Sequence, residues 1–135
     1  MIDSVKIGLV TYTVEEKADL YQLTDGRKEA LHGEIWHAEA AINLEANQNV
    51  DVKLVTLWHE ILHGILHSAG HENHPEPTII ALSYGLVQIL RDNPKLIEQT
   101  MFGERREMVL SEATRRLFYG NDYLHAPLNG HSSEE

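Results

Sequence analysis

One helical segment constrains the fold of this 135-residue chain more than any other feature. Residues 52–68 read VKLVTLWHEILHGILHS, and on a helix of about 100° per residue their polar side chains share one stripe. That stripe consists of Thr56, His59, Glu60, His63 and His67. Val, Leu, Trp and Ile dominate the rest of the surface, and a helix this apolar is normally buried. Because buried polar groups are costly unless they have partners, the stripe is expected to face a hydrogen-bonded interior or a cavity.

The string HEILH within this helix has the spacing of a metal-binding motif. His59 and His63 are four residues apart, so their imidazoles lie one turn above another and can reach one ion at roughly 2.1 Å. Glu60 projects beside the same ion, where it can take a proton from water without displacing a ligand. The chain has no cysteine, so any metal must be held by imidazole and carboxylate groups. The motif predicts a Zn²⁺ site with Glu60 as general base.

A catalytic zinc site needs a third protein ligand, for which several side chains are candidates. They are His67, His71, Glu72, His74 and Glu76. His67 lies about 12 Å from His59 along a continuous helix, too far for a compact site. A third histidine placed as in HExxHxxGxxH is absent, because Leu66 and Ala69 occupy those positions. Glu76 is favoured because a short loop should fold the second helix back beside the first, although Glu76 can also be read as a helix cap before Pro77.

The segments around this helix predict a small mixed fold. Val5–Val14 is rich in β-branched residues and predicts one strand, whereas Glu15–Leu23 is ambiguous between helix and loop. Thr24-Asp25-Gly26 is a turn signal, and LHGEIWHA and AINLE predict two further strands. The first helix is expected to begin near Val52 with Asp51 as its N-cap and to end at Ala69-Gly70. A second helix is expected from about Pro77 to Asn93-Pro94.

The charge of the chain bears on its partners and its location. A net charge of -10, from 21 acidic and 11 basic residues, opposes binding to nucleic acid or to an anionic membrane surface. No run of about 18 apolar residues is present, and the first apolar run is too short for a signal peptide. A cytoplasmic protein is therefore expected. Its oligomeric state is left open.

The string LVTLWHEILHGILHSAG, followed by a short loop, a glutamate and a helix ending in LRDNP, resembles small zincin-type neutral zinc metallopeptidases. The similarity is greatest to the minimal ImmA/IrrE-like and related phage-encoded proteins and covers about Val5 to Pro94. It implies an α+β zincin-like core, in which a short twisted sheet packs on the active-site helix and its edge strand holds an extended peptide. It also implies that His59 and His63 bind zinc, that Glu60 is the general base and that Glu76 is the third ligand. Such proteins often have two acidic residues together where this chain has Glu76-Pro77.

These observations lead to a main functional hypothesis and two alternatives. The main one is a zinc-dependent peptidase acting on a protein or peptide, with Tyr84 or His37 as candidate donors to the oxyanion. The second is a catalytically inactive, zinc-stabilised protein-interaction module. A nucleic-acid binder that uses the arginines near the C-terminus is the weakest hypothesis, because neighbouring acidic residues offset them. The peptidase domain is expected to span residues 1–102, followed by a C-terminal helix at 103–119 and a disordered tail at 120–135.

Overall fold

The computed structural model describes residues 1–103 and has an α+β fold with a small mixed sheet and, within those residues, three helices. In chain order the elements are β1 (Ser4–Ile7), β2 (Val10–Lys17), β3 (Tyr21–Thr24), β4 (Arg27–Ala30), β5 (Gly33–Trp36), β6 (Ala41–Glu45), α1 (Val50–Ser68), α2 (Glu76–Asp92) and α3 (Pro94–Phe102). The α+β class predicted from the sequence is confirmed at this level.

The four-stranded sheet has the order β1-β2-β6-β5, and β3 and β4 form a separate two-stranded hairpin. Strand β2 is antiparallel to β1 and parallel to β6, and β5 is antiparallel to β6. Strand β5 is therefore an edge of this sheet. The two strands predicted from LHGEIWHA and AINLE correspond to β5 and β6.

Helix α1 packs on one face of the sheet and forms the core with it. Ile42 and Leu44 on β6 are 0% exposed and contact the buried Leu57 and Ile61 of α1 within one apolar cluster. Burial of each of these two β6 side chains stabilises the fold by roughly 1.5–3 kcal/mol. The helix that carries the polar stripe is thus held rigidly against the sheet.

The prediction of one strand over Val5–Val14 is wrong, because the chain turns back within it. Strands β1 and β2 form an antiparallel hairpin in which Ile7 pairs with Val10. Gly8 has φ 59°, a left-handed conformation that glycine adopts without steric cost, and Leu9 at the tip is 97% exposed. Glu15–Leu23 is neither simply helix nor loop, since β2 continues to Lys17 and β3 begins at Tyr21. The turn at Asp25-Gly26 is confirmed, with positive φ at both residues.

The first helix begins two residues earlier than predicted, at Val50, and ends at Ser68. Its N-cap is Asn49 rather than Asp51: the Asn49 side-chain oxygen accepts a hydrogen bond from the Asp51 backbone N–H at 2.8 Å. The second helix ends at Asp92 before Pro94, as predicted. Pro94 also occupies the first turn of α3, a position that proline favours, and α3 is a helix that the sequence pattern did not predict.

The chain divides into two compact units, one spanning Met1–Asp92 and one beginning at Asn93. Every element of the site described below belongs to the first unit. None of the helices in residues 1–103 combines the length and the apolar character needed to cross a bilayer. The predicted C-terminal helix at 103–119, apart from Gly103, and the predicted tail at 120–135 lie outside the described residues.

Candidate metal centre

Three side chains from α1 and α2 converge on one point. His59 Nε2 lies 3.1 Å from His63 Nε2, and both nitrogens face the carboxylate of Glu76. Glu76 Oε2 is 3.3 Å from His59 Nε2, and Glu76 Oε1 is 3.1 Å from His63 Nε2. Within the described residues, these three form the group of His, Asp and Glu side chains whose donor atoms all lie within 4.8 Å of one another.

The spacing of these atoms fits a zinc ion. Zinc ligands at about 2.0–2.1 Å in tetrahedral geometry are separated from one another by about 3.3 Å. The observed separations of 3.1, 3.1 and 3.3 Å are close to that edge length. Two imidazole nitrogens and one carboxylate are also a donor set found in catalytic zinc sites, which keep a fourth position open. The donor set therefore fits zinc in both chemistry and spacing.

Local structure explains why Glu76 meets the two histidines. Helix α1 ends at Ser68, and the His71 backbone N–H donates to the Leu66 carbonyl at 2.9 Å, which turns the chain away from the helix axis. A short loop then leads to α2, whose first residue is Glu76. The Pro75 carbonyl accepts the Thr78 N–H at 2.9 Å, so backbone groups cap this end of the helix. The Glu76 side chain instead points to the histidine pair, contrary to the reading of Glu76 as a helix cap.

Glu60 lies beside these ligands but contacts the sheet. Its side chain is buried, with 5% of the residue exposed, and its Oε1 faces strand β5 at Gly33. A Cβ at position 33 would lie 3.0 Å from Glu60 Oε1 and 2.6 Å from Thr56 Cγ2, so only glycine lets the strand approach this closely. Burial, together with the negative charges of Glu76 and Glu34, raises the pKa of Glu60 to about 8. The carboxyl group can therefore bind and release a proton near neutral pH.

The two candidate histidine ligands are kept neutral by their surroundings. Burial lowers the pKa of His59 below its usual value of 6.5, against the opposing charge of Glu76. Burial likewise lowers the pKa of His63, again opposed by Glu76, while His59 and His74 lower it further. Neutral imidazole is the form that binds metal, so the site favours the ligand form at neutral pH.

The other candidate third ligands lie outside this cluster. His67 is exposed, and its ring stacks on His37 with centroids 3.8 Å apart and planes at 6°. His71 and Glu72 are exposed loop residues. His74 approaches His63 from the far side of the ring, with 3.0 Å between the two Nδ1 atoms. The structure thus brings His59, His63 and Glu76 together and excludes the alternatives from the same point.

The two candidate oxyanion donors have different surroundings. The Tyr12 hydroxyl lies 3.2 Å from His37 Nδ1, and the His37 ring also stacks on the His67 ring. Tyr84 on α2 is 59% exposed and lines a cavity that also contains His59 and Glu60. Tyr84 is therefore the better-placed candidate of the two.

The cavity next to the cluster has a volume of about 350 Å³. It lies between α1, α2 and the segment that joins β4 to β5, and its apolar walls include Leu31, Val52, Val55 and Ile80. Its polar lining residues are His32, Thr56, His59, Glu60, Ser83 and Tyr84. The cavity therefore adjoins the candidate metal centre at His59.

Sequence reasoning missed two contributors to the site. Gly33 was read only as a residue of a strand, and a single glycine inside a strand pattern is the signal that could have indicated a close backbone approach. His74 was weighed only as a ligand or a solvated loop residue, because the direction of its ring is not visible in the sequence. Comparisons of the chain with protein-family models, with curated proteins and with solved structures gave no match.

Proposed function

We propose that this protein is a zinc-dependent peptidase in which His59, His63 and Glu76 hold the metal and Glu60 is the general base. One observation carries the proposal: a buried carboxyl group that is not one of the converging ligands lines the same cavity as the ligand His59. A purely structural zinc site has no use for such a group. A hydrolytic site requires one.

The chain's own residues supply the proton transfers. Zinc, when bound, supplies Lewis acidity toward water and toward a peptide carbonyl. A Glu60 carboxylate oxygen accepts the proton of the attacking water and then gives it to the nitrogen of the leaving amine. The pKa of about 8 describes Glu60 without a cation, and a positive charge at the ligands would lower it. Glu60 would then be ionised at neutral pH, as a base must be.

Features around the ligands favour an extended peptide as substrate. Strand β5 pairs with β6 on one side, and its other side is a sheet edge in the described part of the chain, which can pair with an added strand. Gly33 at the start of β5 lies directly against Glu60. The cavity beside it is large enough for one side chain, and its walls at Val52, Val55 and Ile80 favour an apolar one. The exposed Tyr84 hydroxyl is proposed as a donor to the oxyanion.

The test combines a metal measurement with a matched pair of variants. Purified protein should contain zinc, and a library of unlabelled peptides analysed by mass spectrometry should reveal cleavage that chelator removes. Glu60→Gln keeps the size of the side chain but removes the base, so cleavage should fall by about 100- to 10,000-fold with zinc retained. Glu39→Gln, at an exposed position, is the control and should cleave normally. Undiminished cleavage by Glu60→Gln would show that the proposed mechanism is wrong.

A second candidate function is a zinc-stabilised interaction module. It is favoured by the placement of Glu76 at the first residue of α2, from where it contacts two histidines of α1. An ion at this point would cross-link the two helices and stabilise the folded state. This candidate predicts that chelator lowers the melting temperature, that no peptide in the library is cleaved and that Glu60→Gln changes neither property.

A further inference from the structure

We infer that His74 sets the tautomer of His63 and so presents the His63 Nε2 lone pair to the metal. His74 is, on this inference, a positioning residue and not a ligand. The inference rests on the proposed zinc site, because it concerns how one of its ligands is prepared. It is carried by a chain of contacts that runs from a backbone carbonyl in the loop after α1, through two imidazoles, to the candidate metal centre.

This series of contacts begins at the backbone carbonyl of His71, which contacts His74 Nε2. A carbonyl oxygen can only accept a hydrogen bond, so His74 Nε2 must carry the proton. In neutral imidazole only one of the two nitrogens is protonated. His74 Nδ1 is therefore left with a lone pair and acts as an acceptor.

The next contact transfers this constraint to the ligand. His74 Nδ1 lies 3.0 Å from His63 Nδ1, within hydrogen-bond distance. Because His74 Nδ1 is the acceptor, His63 Nδ1 must be the donor and must carry the proton of its ring. His63 Nε2 then has a free lone pair. This nitrogen is the atom that faces His59 Nε2 and Glu76 Oε1, both at 3.1 Å.

The packing of the two rings shows that the contact is directional. Their centroids are 5.2 Å apart with planes tilted by 34°, so they meet through their nitrogens and not face to face. His74 is half-buried in a loop whose other residues between Gly70 and Pro75 are exposed. Metal-binding histidines generally donate their second ring N–H to an acceptor, which fixes both the tautomer and the orientation of the ring. His74 fills that position for His63.

Zinc affinity of the purified full-length chain, measured by competition with a chromophoric chelator, tests this role. His74→Phe keeps a planar ring but has no acceptor, so zinc should bind about 10- to 100-fold more weakly. His74→Asn places an amide oxygen near the position of the lost Nδ1 and should recover much of the affinity. Asn73→Ala is the matched control and should bind zinc like the wild type, because Asn73 is an exposed residue of the same loop and is neither a proposed ligand nor part of the contacts that run from His71 to His63.

The tautomer itself can be measured without metal. Long-range ¹H–¹⁵N correlation spectra of the metal-free protein should show His63 protonated at Nδ1, and His74→Phe should shift it toward a mixture of tautomers. A general loss of stability would not produce this change. Should His74→Phe fail to fold, the wild-type spectrum and the affinity of His74→Asn still decide the question.

The possible outcomes separate this inference from the proposed function. Zinc binding by the wild type together with equal binding by His74→Phe would overturn the role of His74 and leave the peptidase proposal standing. Wild-type protein with His63 protonated at Nε2 would also overturn the inference. Failure of the wild type to bind zinc would remove the proposed function, whereas the spectrum of the metal-free protein would still report the tautomer.

Discussion

Three histidine pairs lie close together in residues 1–103, and two of them, His59–His63 and His37–His67, differ most in how the rings face each other. His59 and His63 meet edge to face, with planes at 69° and 3.1 Å between their Nε2 atoms. His37 and His67 are stacked, with planes at 6° and centroids 3.8 Å apart. Both pairs include residues from the same polar stripe of α1. Within the described residues, however, a carboxylate completes a three-donor cluster only at His59 and His63.

The difference indicates that ring orientation, and not the density of histidine, decides whether two imidazoles can share one ion. The lone pairs of an imidazole lie in the plane of the ring. Two stacked parallel rings therefore direct their lone pairs along separate parallel planes, so these lone pairs cannot converge on one ion. Rings at a steep angle can converge, and the i, i+4 spacing on a helix produces that arrangement at His59 and His63.

The largest expected difference between the two histidine pairs is in how much each contributes to zinc affinity. His63→Ala removes one of three proposed ligands and should weaken zinc binding by more than about 100-fold, since loss of a ligand's supporting partner alone costs about 10- to 100-fold. His67→Ala removes a member of the stacked pair and should leave the affinity unchanged within experimental error. Isothermal titration calorimetry with a competing chelator measures both. Equal losses in the two variants would mean that the stacked pair takes part in metal binding.

The next largest effect is the loss of folding stability caused by burying the carboxyl group of Glu60. The pKa of Glu60 is raised from 4.5 to about 8, so between these values the folded state binds more protons than the unfolded state. The free energy of unfolding should therefore fall as pH rises from about 4.5 to 8. In the metal-free protein Glu60→Gln removes this cost, and at pH 9 it should be more stable than the wild type by about 2–4 kcal/mol.

Two controls make that measurement specific. His59 and His63 have lowered pKa values, so their contribution is present above pH 6.5 and is lost as the pH falls, in both proteins alike. The difference between wild type and Glu60→Gln in urea unfolding therefore isolates Glu60. Saturating zinc should reduce the difference, because a cation favours the ionised carboxylate. A pH-independent difference would contradict the burial of an ionisable carboxyl group here.

A smaller effect on stability is expected from a substitution at Gly33, where β5 approaches α1. A methyl group at Gly33 would lie 2.6 Å from Thr56 Cγ2 and 3.0 Å from Glu60 Oε1. Gly33→Ala should therefore lower the free energy of unfolding by about 1–3 kcal/mol and displace Glu60. Thr56→Ser removes the methyl group that clashes and should restore part of the loss when combined with Gly33→Ala.

Gly85 on α2 provides the matched control for this substitution. A Cβ there would meet no atom of residues 1–103 within 4 Å, so Gly85→Ala should stabilise the protein by about 0.5–1 kcal/mol through helix propensity. Thermal unfolding of the two variants, followed by circular dichroism, compares them directly. Similar behaviour of Gly33→Ala and Gly85→Ala would show that β5 does not lie as close to Glu60 as described.

The smallest effect should come from the stacked pair. Burial lowers the pKa of His37 below 6.5, and the nearby charges of His67 and then His74 lower it further. His67→Ala should raise the pKa of His37 toward its usual value, as followed by NMR titration. Stability should change by no more than about 0.5 kcal/mol, because His67 is exposed. An unchanged pKa would indicate that the two rings are not in contact in solution.

Some of this architecture could be predicted because it depends on local patterns. The period of apolar residues identified α1 and α2, and Gly70 and Pro94 indicated where the two helices end. The hairpin turn at Gly8 was missed because Val5–Val14 has no polar turn residues. Its high β-propensity on both sides of Gly8 therefore predicted a single strand. Asn49 and Asp51 are equally good N-caps in the sequence, and the choice between them depends on where the backbone enters the helix.

The sequence by itself determined which chemistry is available: two histidines at i, i+4, a glutamate beside the first and no cysteine leave an imidazole–carboxylate site. That spacing is local, so the helix geometry follows from it directly. Only the tertiary structure decided that Glu76, and not His67, His71 or His74, completes the three-donor cluster, that Gly33 borders Glu60 and that His74 contacts the opposite side of the His63 ring. These contacts depend on the path of a loop, the register of an edge strand and the direction of a ring, which arise from packing between segments distant along the chain.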